Sequence, residues 1–371
     1  MDVQQPLALL GGLSPAQFMR RHWHKKPLLV RQAIAGFKPL LARAELLELA
    51  GREGVESRFI QDKGGQWVLR HGPLARRSLP SLATPRWTAL VQGVDLHHEG
   101  VHALMQQFRF VPEARLDDLM ISYATDGGGV GPHFDNYDVF LLQAHGQRRW
   151  RIGRQKDKTL RSGLPLKILA AFEPEEEHVL EPGDMLYLPP GWAHDGIAVG
   201  ECMTYSIGFR SPNGAQLAHE VLQRMAEGAA DEEGAIYRDA QQPAVAGPGA
   251  IPAELQDFAR QAVQRALAQP QALECALGEA LTEPKPNVWF EPAEAGGMLE
   301  CLTLDRRTRM MYDDKHVFIN GESYRASGRD ATLMRRLADE RRLEPRDLVR
   351  ASDEALELLS AWCEAGWAHA R

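Results

Sequence analysis

Gly127-Gly-Gly-Val-Gly-Pro-His133-Phe-Asp135 and, further along, Glu181-Pro-Gly-Asp-Met-Leu-Tyr-Leu-Pro-Pro-Gly-Trp-Ala-His194 are the two stretches whose reading decides the fold. Side chains at i and i+2 of a strand point to the same side. A strand at His133 therefore turns His133 and Asp135 into one cavity and Phe134 to the other face. The turn Pro189-Pro190-Gly191 stands just before His194 and suits the return of a distant third ligand. Two imidazoles and one carboxylate are the facial ligand set of non-haem Fe(II) oxygenases, which leaves the opposite side of the metal open.

A His-x-Asp pair alone is common, so its surroundings matter. A glycine-rich turn runs into His133, and Asp138-Val-Phe-Leu-Leu142 reads as an apolar strand. Met185-Leu-Tyr-Leu188 is strand-like between Pro182-Gly183 and Pro189-Pro190-Gly191. Both motifs resemble the metal-binding motifs of the cupin superfamily. Asp135 stands where many cupins have a second histidine, which points to the Fe(II)/2-oxoglutarate branch.

The chain has 371 residues, length for two or three domains, with 44% hydrophobic and 25% charged residues. No apolar run is long enough for a membrane span, and the N-terminus lacks the basic-then-apolar pattern of a signal peptide. The cysteines Cys202, Cys275, Cys301 and Cys363 are far apart, without a CxxC. A reduced cytoplasmic setting follows as the expectation. The net charge of −7 argues against nucleic-acid binding by the whole surface and is compatible with a basic partner.

Ser14-Pro15 predicts a helix start, residues 40–50 an amphipathic helix, and Ser57–Gly72 a hairpin turning at Gly64-Gly65. A second helix is expected over His97–Phe108, and short strands fill 118–210. Such strands around a cavity suggest a jelly roll. Beyond Pro212, helices are expected over Gln216–Glu227 and Pro252–Leu281, with a loop over Ala240–Pro252. A hairpin turning at Asn320-Gly321 and helices over Thr332–Arg342 and Ser352–Ala365 suggest a winged helix. Alternation puts Arg148 and Trp150 on one face; a register slip would nominate Arg149 instead.

With these motifs placed, the chain resembles the JmjC-type 2-oxoglutarate oxygenases, and within them the bacterial ribosomal oxygenases. The resemblance rests on Asp117-Asp-Leu-Met-Ile-Ser122, Gly127 to Leu142, Arg148-Arg-Trp-Arg151, Glu181 to His194, Tyr205-Ser-Ile-Gly-Phe-Arg-Ser-Pro212 and the opening His22-Trp-His-Lys-Lys-Pro-Leu-Leu-Val30. It implies a mixed α and β fold: a double-stranded β-helix (jelly-roll, cupin-like JmjC) catalytic domain over 1–210. A helical dimerisation segment over 211–284 and a winged-helix-like domain over 285–371 follow. Carried over by position, His133, Asp135 and His194 match the iron ligands. Arg148 matches the residue holding the far carboxylate of 2-oxoglutarate, where eukaryotic relatives place lysine, and Ser122 a polar residue of that pocket. The implied cofactors are Fe(II), 2-oxoglutarate and O2. The implied activity is 3-hydroxylation of an arginine in a large-subunit ribosomal protein by a homodimer. Tyr137 and Asp126 are candidates to meet the cationic substrate.

Other groups read more plainly. His22-x-His24 beside Lys25-Lys26 is expected to be a basic surface, His97-His98-Glu99 a helix start, and Glu173-Pro-Glu-Glu-Glu177 a solvated loop. Acidic residues interleave with Arg335, Arg336, Arg341, Arg342, Arg346 and Arg350, which reads as paired helix charges rather than a nucleic-acid stripe. The alternative functions are a JmjC hydroxylase or demethylase with another protein target, and a non-enzymatic cupin/winged-helix regulator that binds nucleic acid.

Overall fold

The computed structural model describes residues 2–230, 234–293 and 300–370. They form two compact units, Met1–Ser211 and Pro212–Arg371. In the first, helix α1 (Pro15–Arg21) opens with a capping box. Ser14 accepts from the Gln17 amide, Gln17 reaches back to the Ser14 amide, and Pro15 fills the first turn, where its missing N–H costs nothing. The chain continues through β1 (Leu28–Val30), α2 (Arg43–Leu49), β2 (Ser57–Lys63), β3 (Gln66–His71), β4 (Trp87–Val91), α3 (Glu99–Gln106), β5 (Leu116–Ala124), β6 (His133–Phe134), β7 (Val139–Arg154), β8 (Glu176–Leu180), β9 (Met185–Leu188) and β10 (Trp192–Phe209).

The strands make one ten-stranded antiparallel sheet in the order β1-β9-β7-β10-β5-β4-β2-β3, with β6 on β10 and β8 on β7. Its spine is the long β7–β10 pair, whose register shifts around Val199–Thr204. Extra residues in one strand bend a pair, so β7 and β10 turn the sheet's corner together. This is the curled jelly-roll sheet that the strand pattern predicts. On one side of the sheet Phe18, Phe108, Phe140, Tyr187 and Phe209 pack under α1 and α3. A second cluster, Val139, Leu141, Trp150, Ile152, Leu180, Leu186 and Leu188, lines the other side.

The structure corrects expectations at residues 40–50, Tyr137 and His24. The helix expected over 40–50 begins only at Arg43, because the Leu40 and Leu41 amides donate to the Tyr205 hydroxyl at 2.9 and 3.4 Å. Tyr137 is not on a strand with Asp135, since β6 ends at Phe134 and residues 136–137 form a bend. His24 is not plain basic surface: its Nε2 lies 2.8 Å from the fully buried Asp138, which Arg115 also faces at 3.4 Å. His98, as expected, starts a helix, its ring accepting from the Val101 amide at 3.3 Å.

The second unit holds α4 (Gly214–Ala230), α5 (Ala253–Leu267), α6 (Ala272–Thr282), β11 (Leu302–Leu304), β12 (Met310–Tyr312), β13 (His316–Ile319), β14 (Glu322–Arg325), α7 (Gly328–Glu340), β15 (Arg342–Leu343), α8 (Pro345–Leu348), α9 (Asp353–Glu364) and β16 (Ala368–Ala370). The single helix expected over Pro252–Leu281 is two. Pro270 cannot continue α5, and Gln271 turns left-handed at φ +70° before α6. The hairpin β13–β14 turns at Asn320-Gly321 with φ +47° and +89°, the two positive values a type I′ turn needs. Leu302, Met310, Val317, Leu337, Leu359 and Trp362 form this unit's own core.

Candidate active site

His133 on β6 and His194 on β10 stand directly opposite in antiparallel register. Their rings meet edge-on, 4.2 Å between centroids. Asp135 follows β6 at once, its Oδ2 lying 3.9 Å from His133 Nε2 and 3.6 Å from His194 Nε2. Ligands each ~2.1 Å from one ion sit between ~3 Å apart when adjacent and ~4.2 Å when opposite, so these spacings admit a shared metal.

The tautomers are set from behind. His133 Nδ1 donates to the Gly131 carbonyl at 2.9 Å, and His194 Nδ1 to the Trp192 carbonyl at 3.1 Å. A carbonyl only accepts, so each Nδ1 carries the proton and each Nε2 points its lone pair at Asp135's side of the cavity. Burial, reinforced by His133 and only partly opposed by Asp135, lowers the His194 pKa to about 4. The ring is neutral at ordinary pH, the form that binds metal. The turn before His194 does pin the ligands together: Gly191, at φ +77°, donates its amide to the Asp135 carbonyl at 2.7 Å.

Trp150 is the wedge between the two ends of the site. Its ring lies 5.8 Å from His194 and 5.3 Å from the Arg148 guanidinium carbon. Gly196, its register partner, leaves the room: a Cβ there would meet the indole at 2.6 Å.

Arg148 is 4% exposed, whereas Arg149 points outward, so the register favours the interior position for Arg148. Its Nη1 donates to Ser122 Oγ at 3.0 Å and Thr204 Oγ1 at 3.2 Å, and Thr204 Oγ1 donates to Gln143 Oε1 at 3.0 Å. Its Nε is buried without a partner, and among the described residues its side-chain bonds go to hydroxyls and not to a carboxylate. A buried cation without a counter-charge is costly. A planar fork of donors is complementary to a carboxylate. The donor set at the triad and this uncompensated guanidinium therefore fit a divalent metal and a small dicarboxylate.

The remaining candidates are placed differently. Tyr137 is 41% exposed as a residue, while burial of the hydroxyl and then the Asp135 carboxylate raise its pKa. Asp118 and Arg58 act on the same hydroxyl. Asp126 is not brought to the triad: its carboxylate accepts the Gly200 amide at 2.8 Å, six residues along β10 from His194. Thr204, Gln143 and Asp118 were not nominated from sequence. Only the alternation of β10 after His194 could have suggested Thr204. In the acidic run, Glu175 meets Arg154 at 3.4 Å and Glu176 meets His178 at 2.9 Å, at the edge of a cavity of about 360 Å³ that also touches Ile152 and Trp192.

A curled antiparallel sheet with an inward His-Asp-His set and a buried guanidinium defines the class: a JmjC-type oxygenase. The comparisons agree. A JmjC domain model matches residues 103–217, and a ROXA-like winged-helix model matches residues 264–369. The ribosomal protein uL16 3-hydroxylase of Escherichia coli is 37% identical over 284 residues, covering 75% of this chain and 74% of the relative. The crystal structure of E. coli ycfD superposes with a TM-score of 0.82 at 30% identity, covering 96% of this chain and 98% of that one. A YcfD structure in complex with cobalt and 2-oxoglutarate superposes with a TM-score of 0.79 at 31% identity, covering 95% and 97%. The chain belongs to the family of JmjC-domain ribosomal oxygenases that carry a ROXA-like winged helix.

Proposed function

We propose that this protein is an Fe(II)/2-oxoglutarate-dependent hydroxylase that 3-hydroxylates an arginine of a large-subunit ribosomal protein, the uL16 homologue. The observation that carries this reading is the pairing of two metal-ready Nε2 atoms and Asp135 with an unpaired, buried Arg148 beyond Trp150. His133, Asp135 and His194 hold the metal. Arg148, set by Ser122 and Thr204, receives the far carboxylate of 2-oxoglutarate. When bound, iron, 2-oxoglutarate and O2 supply the oxidising power that turns a C–H bond into C–OH, with succinate and carbon dioxide as coproducts. The protein contributes position and dryness: neutral His194 binds without first losing a proton, and the Trp150 wall excludes water between metal and anion.

Tyr137, half-exposed beside Asp135, suits a cationic side chain; Asp118 is buried on the Gly93 amide, and Asp126 supports the loop instead. The helices beyond Pro212 support a homodimer. No residue of α5 is buried, and Leu255, Val263 and Leu267 are 37%, 60% and 52% exposed. Glutamate at Val263 and Leu267 should halve the mass read by light scattering. In the C-terminal unit Arg336 pairs with Asp347 at 2.6 Å and Arg342 with Glu344 at 2.9 Å, and Arg335 donates to the Asp313 and Asp314 carbonyls. These commitments favour protein docking over nucleic-acid binding. Among the described residues no helix is long and apolar enough to cross a membrane, and a ribosomal substrate supports a cytoplasmic setting.

The test is mass spectrometry of ribosomal proteins incubated with the Fe(II)-loaded enzyme, 2-oxoglutarate and O2, beside His133→Ala. One oxygen gained on one arginine, absent with the variant, is expected. Turnover of 2-oxoglutarate without protein oxidation would refute the substrate; no iron binding would refute the triad.

A further inference from the structure

Behind the Arg148 guanidinium lies a patch of small side chains. Ala198 is the direct register partner of Arg148 on β10, and Cys202 is the partner of Ala124 on β5. Directly opposed residues share a face, with Cβ atoms ~5 Å apart. Ala124, Ala198 and Cys202 touch one another as a cluster of their own, separate from the larger cores, and are 0%, 3% and 0% exposed. The polar residues that hold the guanidinium are the next inward positions of the same strands: Ser122 stands two before Ala124, and Thr204 two after Cys202. The Cys202 thiol meets the Gln143 side chain and feels the Arg148 charge. The register of β10 on β7 slips here, between Val199 and Thr204.

We infer that Ala124, Ala198 and Cys202 form the end-stop of the cosubstrate pocket, and that their small size sets how deep the Arg148 guanidinium sits and so which length of 2-oxo dicarboxylate is accepted. This rests on the 2-oxoglutarate reading above. The metal end is fixed by His133, Asp135 and His194, so only the depth of the guanidinium can tune the span. A close-packed interior has no slack to absorb added methyl groups. Enlarging any of the three residues pushes the guanidinium toward the metal and shortens the span. Trimming Cys202 lets it retreat.

The experiment is calorimetric titration of the Mn(II)-loaded full chain with the four-, five- and six-carbon acids oxaloacetate, 2-oxoglutarate and 2-oxoadipate. Ala198→Val and Cys202→Leu are expected to weaken 2-oxoglutarate about tenfold or more while sparing oxaloacetate, inverting or flattening the preference. Cys202→Ala adds no volume and so forces no neighbour out of place; it should raise 2-oxoadipate affinity relative to 2-oxoglutarate by severalfold. A chain-length ratio unchanged within twofold in Cys202→Ala and in whichever enlarged variant folds overturns the end-stop while the dioxygenase reading stands. A wild type that binds none of the three acids overturns both.

Discussion

Replacing Arg148 by methionine separates two effects that structural and functional roles would mix. The guanidinium is 4% exposed, makes two hydrogen bonds to neutral hydroxyls and has a buried Nε without a partner. Two neutral-acceptor bonds to a charged donor are together worth roughly 3 kcal/mol, and removing a buried, uncompensated charge returns a similar amount. The melting temperature without cosubstrate is therefore expected to stay within about 3 °C of wild type, or to rise. Cosubstrate binding behaves oppositely. A buried guanidinium–carboxylate pair, once one partner is truncated, costs about 3–5 kcal/mol. At 1.4 kcal/mol per tenfold, 2-oxoglutarate affinity falls roughly 100-fold to 4,000-fold. Differential scanning calorimetry and titration with 2-oxoglutarate on the Mn(II)-loaded protein read the two quantities independently. A variant that binds 2-oxoglutarate within a fewfold of wild type refutes the assignment of Arg148; one that unfolds many degrees lower shows that its role is structural.

Other predictions follow from single contacts. Gly196→Ala drives a Cβ into the Trp150 indole, and a loss of roughly 1–3 kcal/mol with a changed near-ultraviolet dichroism is expected; an unaltered spectrum would show that the wedge has slack. Gly278→Ala on α6 meets the Phe318 ring at 2.4 Å and should destabilise the C-terminal unit by a similar amount, read by hydrogen exchange at β13. Asp305 is buried, which alone would raise its pKa, but hydrogen bonds from Arg307 and His369 outweigh that and hold it well below the usual carboxylate range. A depressed folded pKa gives stability that is complete above the unfolded value of ~3.9 and is lost as pH falls below it. Asp305→Asn should therefore cost roughly 3 kcal/mol at neutral pH and progressively less toward pH 2, in exchange protection of β11; a pH-independent difference would sink the account.

What the sequence disclosed depended on how local the signal was. Ser14-Pro15, Gly64-Gly65 and Asn320-Gly321 act through their own backbone, and each appears where its chemistry predicts. His133, Asp135 and His194 were readable because two short motifs carried them, although their convergence depends on β6 and β10 pairing across the sheet. Arg148's alternate register could be resolved only by the partner strand, which turns Arg149 out. Thr204 and Gln143 left no motif, since their role exists only through a side chain arriving from another part of the chain. Asp126 was misleading for the same reason: an acid beside a glycine turn serves a nearby amide or a distant ligand equally well, and Gly200 decides it.

The long β7–β10 pair has one further consequence. His194 and Ile152 face each other across it, and so do Ala198 and Arg148, so the proposed metal and anion ends stand four residues apart on the same two strands. At ~3.3 Å per residue that is a ruler of about 13 Å ruled in covalent bonds. Its graduations do not move when helices shift, loops are exchanged or a different protein docks at the mouth. A lineage can therefore retarget such an enzyme by rewriting its rim while the gauge for the small cosubstrate is inherited unchanged.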